Sequence, residues 1–312
     1  MELVRGIHNI RDVHRGCVLT IGNFDGVHLG HQRVISALVE KATRLNLIPA
    51  VMVFEPQPQE LFNPQMAPAR LTRLRDKYRL LQELGVKRLI CVNFNHKFAS
   101  QSAEYFVEHL LVEKLGIKHL IIGDDFHFGK NRQGDFSMLV KEGQRLGFGV
   151  NDTASYMVQD CRISSTEIRK ALQQDHIAEA ERMLGRQYSI SGRVVHGDKQ
   201  GRNLGFPTAN VLLKRCVSPV KGVYVVQAKL ANNMYYGVAN IGSRPTINGV
   251  RQQLEVHLFN FQKEIYGQQI DVTLLHKLRE ERRFDSLAAL TEQIAKDSEQ
   301  ARQYVQALIN RN

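Results

Sequence analysis

No apolar run in this chain approaches the roughly 18 residues that a membrane-spanning helix needs, so no transmembrane segment is expected. The start, Met1-Glu2-Leu3-Val4-Arg5, lacks the apolar core of a secretion signal. Cysteine is scarce: Cys17, Cys91, Cys161 and Cys216 lie far apart and form no Cys-x-x-Cys pair. Three of them sit in apolar stretches, which suits buried reduced thiols and leads us to expect a cytoplasmic location. Also missing are a His-Glu-x-x-His metal pattern, a Walker-A loop, internal repeats, low-complexity tracts and any dense basic run. These absences set aside a membrane protein and a disulfide-built scaffold, and they weigh against a general nucleic-acid binder.

What is present is an excess of positive charge, 42 Lys and Arg against 31 Asp and Glu, for a formal net charge of +11. Spread out rather than concentrated, it points to small polyanionic ligands. A length of 312 residues suggests about two domains, each large enough for a core.

The first half alternates apolar runs with helical periodicity. Strands are expected at Val18–Ile21, Ala50–Phe54, Arg88–Asn93 and His119–Ile122, with helices near Val34–Arg44, Leu71–Leu84 and Ala103–Leu115. That order predicts a parallel sheet with helices on both faces and ligands beyond the carboxyl ends of its strands. Gly22–His31, Phe54–Pro58 and Gly123–Gly129 all fall on that edge. A polar helical stretch, Ser164–Gly185, closes this half.

The pattern then changes. Ser189–His196, Gly222–Ala228, Tyr235–Ile241, Leu254–Phe261 and Ile270–Leu275 are short and β-prone, with turn residues and no helices between them. They predict an antiparallel barrel or sandwich. A long amphipathic helix, Ser286–Ile309, ends the chain. The boundary is expected near Gly185–Tyr188, giving domains 1–185 and 186–312.

Gly22-Asn23-Phe24-Asp25-Gly26-Val27-His28-Leu29-Gly30-His31 is the most informative segment. It joins an apolar strand to an amphipathic helix. At the first turn of a helix both imidazoles and the unpaired N–H groups would face one anionic object, most plausibly a nucleotide phosphate.

In the order Gly22–His31, Phe54–Pro58, Gly123–Gly129, Ile163–Arg169, Gly201–Asn210, Gly237–Pro245 and Glu255–Phe259, these segments resemble the bacterial bifunctional riboflavin kinase and FAD synthetase family over nearly the full chain. The resemblance implies an α/β plus all-β protein. An N-terminal Rossmann-like nucleotidyltransferase domain with a parallel sheet would adenylylate FMN to FAD. A C-terminal antiparallel β-barrel riboflavin kinase domain, with its terminal helix, would make FMN. ATP, riboflavin and FMN are the implied substrates, with Mg²⁺ carried on ATP. Small molecules rather than nucleic acid or membrane are the implied partners.

For the first domain the resemblance implies that His28, His31 and Arg169 are catalytic and that Gly22, Phe24, Asp25, Gly30, Ser164, Ser165 and Thr166 bind ATP. The Ser/Thr run is also an N-cap signal, and Asp25 equally suits an Asx turn. The flavin side would be Phe54, Pro56, Pro58, Asp125, Phe126, Phe128 and Arg132. By position Phe126 reads as core and Phe128 as the stacking ring. For the second domain it implies Gly201, Arg202 and Gly205 around ATP phosphates, with Lys199 as a further charge. Thr208 and Asn210 would take Mg²⁺, and Glu255 would be the general base. Glu255 shares a strand face with His257, which gets no role. Asn260 stands where family members often carry Asp, and the segment after it, with the terminal helix, is assigned packing only.

Overall fold

The computed structural model describes residues 1–123, 126–153, 157–158, 161–197, 201, 204–213, 217–246 and 249–310. Its internal contacts divide the chain into two units, Met1–Pro68 with Thr72–Ser165, and Ala69–Leu71 with Thr166–Asn312.

The first unit is built on a six-stranded, wholly parallel sheet of β1 (Glu2–Arg5), β2 (Cys17–Ile21), β3 (Ile48–Glu55), β4 (Arg88–Asn93), β5 (His119–Gly123) and β6 (Gly149–Thr153). Its order is β1-β4-β3-β2-β5-β6. Successive residues of the inner strands feed opposite faces: Cys17, Leu19 and Ile21 join one core, while Val18 joins the other. A strand buried on both faces reads as a continuous apolar run, which is why these were legible. The long helix α1 (Leu29–Leu45) packs Ile35, Leu38 and Ala42 into the second core. The segment expected as one helix from 103 starts as Ala103–Tyr105 and continues as a π-helix over Phe106–Lys114. Cys17 and Cys91 are buried thiols outside any disulfide, and burial pushes the Cys17 pKa up to about 12.

Edge strand β1 is held by charge as well as by its ladder. Glu2 accepts from Arg88 Nε at 2.8 Å and meets the His14 ring nitrogen at 2.9 Å. The Arg88 guanidinium first, then His14, hold that carboxyl below its ordinary range against the opposing effect of burial.

A short antiparallel pair of β7 (Met157–Val158) and β8 (Cys161–Arg162) follows β6. The second unit is a closed antiparallel barrel of β9 (Ser189–Val195), β10 (Ala209–Leu212), β11 (Gly222–Leu230), β12 (Asn233–Thr246), β13 (Gly249–Leu258) and β14 (Gln269–Arg279). Leu254, Val256 and Leu258 on β13 are buried, while the alternating Gln253, Glu255 and His257 line a cavity. The terminal helix, Leu287–Ile309, covers this outer wall with Ala301 and Val305 against Val225 and Phe259. The Ser286 hydroxyl caps it, accepting from the Ala289 N–H at 3.1 Å.

The helices Ser165–Gln173 and Ile177–Leu184 cluster with the barrel rather than with the sheet, apart from Ser165 itself. Asp175 between them accepts from the buried Tyr224 hydroxyl at 3.1 Å and from Lys277 Nζ at 2.6 Å. This small network fixes the helical pair to β11 and β14.

Asp297 secures the terminal helix. Its buried carboxylate accepts from Arg279 Nε at 3.0 Å, Arg279 Nη2 at 2.8 Å and Gln293 Nε2 at 2.7 Å. Removing one partner of a buried pair leaves an uncompensated charge. Asp297→Ala is therefore expected to cost about 3 kcal/mol of stability, measured by chemical denaturation. A loss of only a few tenths would show that the pair is solvated.

Candidate functional site

The segment from Gly22 to His31 leaves β2 at its carboxyl end and opens α1, the expected strand-to-helix turn. Three of its residues lie in the left-handed region: Phe24 (φ 47°), Gly26 (φ 85°) and Val27 (φ 43°). For a β-branched Val that conformation is costly and needs outside support. Thr72 supplies it: its Oγ1 accepts from the Gly26 N–H at 2.9 Å, and its own N–H and hydroxyl donate to Asp25 Oδ1 at 2.9 and 3.1 Å. The Ser165 hydroxyl donates to the Asp25 carbonyl at 2.8 Å. Asp25 is only 2% exposed, and through Thr72 it holds the loop from a distant segment rather than as a local Asx turn. Phe24, expected at ATP, has its ring buried in the core 5.0 Å from the His31 ring, where it shapes the loop.

His28 is the N-cap of α1. Its Nδ1 accepts from the His31 N–H at 3.3 Å, which in the neutral ring places the proton on Nε2 as a donor. The two imidazoles stack with centroids 3.6 Å apart. A Cβ at Gly30 would meet the His28 ring at 3.2 Å, so glycine keeps that cap in place. The buried ammonium of Lys77 donates to the Asn23 carbonyl. Burial above all, then His28 and Lys77, hold the His31 imidazole well below its ordinary value of 6.5. Unfolded chain takes up a proton near 6.5 that folded His31 refuses, so stability falls as pH drops below that value. His31→Gln is expected to flatten this loss between about pH 5.5 and 6.5, read by urea denaturation. An unchanged slope would assign the acid sensitivity elsewhere.

Gly22 follows β2, and its N–H donates to the Met52 carbonyl at 3.1 Å. Ser164 is half-buried and Thr166 exposed. In the second unit, Arg169 Nε donates to the Ala69 carbonyl at 2.6 Å.

On the expected flavin side, Phe54 packs edge-on against Phe94 at 5.5 Å, and Pro58 opens the short helix Pro58–Phe62. Phe128, expected as the stacking ring, is the more deeply buried of the two loop phenylalanines. Phe128 is 6% exposed, bridged to Gly134 and set in the core against Phe106, whereas Phe126 is half-buried and lies on Phe128 at 5.7 Å. The glycines explain it: a Cβ at Gly129 would meet Ala103 Cα at 2.7 Å, so the loop is pressed inward and takes Phe128 with it. Arg132 is exposed with φ 59°. Missed from the sequence were Gln57, whose buried Nε2 has no hydrogen-bond partner among the described residues, and the exposed Phe62 against Phe94. Asp125, Arg202 and Lys199 lie outside the described residues.

The second unit holds a cavity of about 380 Å³ lined by Gly201, Thr208, Asn210 and Glu255 together. Strand register creates the convergence. Asn210 on β10 and Asn240 on β12 are both direct partners of Glu255 on β13, so the three form one row on one face. Gln253 and His257 flank that row. The His257 ring nitrogen Nδ1 lies 3.0 Å from the Pro207 carbonyl, tying down the loop that leads to Thr208. Gly205, expected at the phosphates, is exposed with φ 84° and is not among the lining residues; Gly201 is, closing a turn to the Phe206 N–H at 2.7 Å. Phe284, Leu290, Ile294, Asp297 and Ser298 also line the cavity, so the terminal helix does more than pack. Asn260 sits at φ 53°, a left-handed position that Asn tolerates.

The FAD synthetase family matches residues 10–167 and the riboflavin kinase family residues 184–305. A protein of Escherichia coli K12 named bifunctional riboflavin kinase/FMN adenylyltransferase is 53% identical over 306 residues, covering 97% of this chain and 98% of that one. A Pseudomonas fluorescens protein of the same name is 48% identical over 303 residues, covering 97% of each chain. A crystal structure described as a macrolide-efflux protein from Streptococcus pneumoniae superposes with a TM-score of 0.79 at 29% identity, covering 97% of this chain and 99% of that one. Among the described residues no helix is long and apolar enough to cross a membrane.

Proposed function

The chain belongs to the bifunctional riboflavin kinase/FMN adenylyltransferase family, and from that premise we propose how its own residues carry the two reactions. It phosphorylates riboflavin with ATP to give FMN, and adenylylates FMN with a second ATP to give FAD and pyrophosphate.

In the kinase half, Glu255 accepts the proton of the riboflavin 5′-hydroxyl as that oxygen attacks the γ-phosphoryl group of ATP. The observation that carries this reading is the row Asn210–Glu255–Asn240 facing a cavity also lined by Thr208 and Gly201. The Thr208 hydroxyl, the Asn210 carbonyl and the Glu255 carboxylate are hard oxygens of the kind Mg²⁺ takes, so the residues fit the ion. Thr208 and Asn210 hold it with the nucleotide. When bound, it neutralises charge building on the phosphate oxygens. The Gly201 backbone lines the same cavity and serves the nucleotide phosphates.

In the adenylyltransferase half, His28 and His31 donate hydrogen bonds to the phosphates while FMN attacks the α-phosphorus of ATP. The N-terminus of α1 adds its dipole. The Nδ1 cap on His28 supports the donor tautomer that this role needs. Ser164, Thr166 and Arg169 as a second grip on the phosphates rest on family resemblance, as do Arg132 and the Phe54–Pro58 wall toward flavin. Functional halves of 1–185 and 186–312, a cytoplasmic location and small-molecule partners without nucleic acid complete the proposal. The two family matches leave residues 168–183 between them, where the helical pair lies.

Chromatography of the protein incubated with riboflavin, ATP and Mg²⁺, against an EDTA control, tests this reading. FMN should appear before FAD, and both should vanish with EDTA. Turnover that survives chelation would sink the metal assignment.

A further inference from the structure

The kinase cavity gathers acceptor oxygens where the cation is proposed to bind. Asn210 Oδ1, Glu255 and Glu281 all face it, and Arg279 and Arg282 are its cations. Arg279 is committed elsewhere: Nε and Nη2 donate to Asp297, and Nη1 donates to the Glu280 carbonyl at 2.9 Å. Arg282 donates to Gln293 and lies over the Phe284 ring. Among the described residues, the donor between Asn210 and Glu255 is an uncharged amide. Gln253 Nε2 donates to Asn210 Oδ1 and also reaches Glu255 Oε1 at 3.5 Å. Register makes this possible, because Gln253 stands two residues before Glu255 on the same face of β13 and opposite Gly242. A Cβ at Gly242 would collide with Glu281, so the neighbouring wall carries a carboxylate, to which Asn240 Nδ2 donates at 3.2 Å.

We propose that the Gln253 amide is a placeholder for the cation, bridging Asn210 and Glu255 until metal–nucleotide displaces it. The inference rests on the reading of Thr208 and Asn210 as the metal-binding pair. An NH₂ group carries two protons and satisfies two oxygens at once, as a bridging cation does. Without it, the buried Asn210 carbonyl would lose the Gln253 donor it has in the absence of substrate. Its withdrawal costs the hydrogen bond to Asn210, so Gln253 raises the metal concentration at which the kinase site fills. Gln253 thereby makes binding of nucleotide without metal unproductive, because Asn210 and Glu255 stay tied to the amide.

Mn²⁺ binding to the full-length protein with ADP present, followed by water-proton relaxation, tests the idea directly. The component lost in Asn210→Ala defines the kinase-site ion. Gln253→Met keeps the volume and removes the donor, and it should tighten that component about fivefold, the release of one ordinary hydrogen bond. Gln253→Ala should shift it in the same direction, and the Mg²⁺ concentration for half-maximal FMN formation should fall in parallel. Unchanged binding in both variants, with wild-type melting temperatures, would overturn the placeholder. Weaker binding would overturn it too, making Gln253 a ligand. If Asn210→Ala loses no Mn²⁺, the metal-site reading itself fails and the placeholder falls with it.

Discussion

Replacing His28 by alanine is expected to cut FAD formation from FMN by two to three orders of magnitude, about the loss seen when one oxyanion-hole donor is removed. FMN formation from riboflavin should continue, because Glu255, Thr208 and Asn210 belong to the other unit. The competing explanation is that alanine merely damages the fold, since His28 also caps α1. Losing an N-cap costs about 1 kcal/mol, set against a typical domain stability of about 5–15 kcal/mol, so the protein stays folded. His28→Asn separates the two effects. Asparagine is a good N-cap and should restore the melting temperature, yet it cannot place a ring Nε2–H at the phosphates. Recovery of activity in the Asn variant would reduce His28 to a capping residue.

Glu255→Gln is expected to be as severe in the opposite half. Loss of a positioned general base costs about two to four orders of magnitude, so FMN formation should nearly vanish while supplied FMN is still converted to FAD. Glutamine keeps the shape, and its carbonyl still accepts from Gln253 Nε2, so the row on β10, β13 and β12 survives. An initial-rate assay with each substrate separates the activities. A Gln variant that makes FMN at more than about a tenth of the wild-type rate would show that Glu255 positions substrate rather than taking its proton.

The sequence carried the interior of the sheet. Cys17–Ile21, Ile48–Glu55 and Arg88–Asn93 are buried on both faces and therefore read as apolar runs. Several elements without that double burial were missed. β1 and β6 are the edges of the sheet, and the exposed residues of β6 include Asn151 and Asp152, which look like turn residues in isolation. β10 is four residues long and hidden behind a glycine-bearing loop. The helix Phe136–Leu146, capped by Asp135, also went unread.

The same reasoning explains the site. Asn210 and Glu255 were named individually because the family motif contains them. Their pairing across β10 and β13, and the arrival of Asn240, Gln253 and Phe284 at one cavity, depend on register between distant strands and on the terminal helix. No local pattern encodes that. The depth at which Phe128 is buried was unreadable for a related reason. What decides which ring goes inward is the steric fit of Gly129 against Ala103, a contact between segments far apart in the chain.

Two separable sites that hand on free FMN are the centre of this picture. The most direct test mixes the His28→Ala and Glu255→Gln proteins and supplies riboflavin, ATP and Mg²⁺. Each alone should fail to make FAD, while the mixture should make it, FMN from the first protein being adenylylated by the second. A mixture that accumulates FMN but no FAD, with both proteins folded, would contradict independent sites.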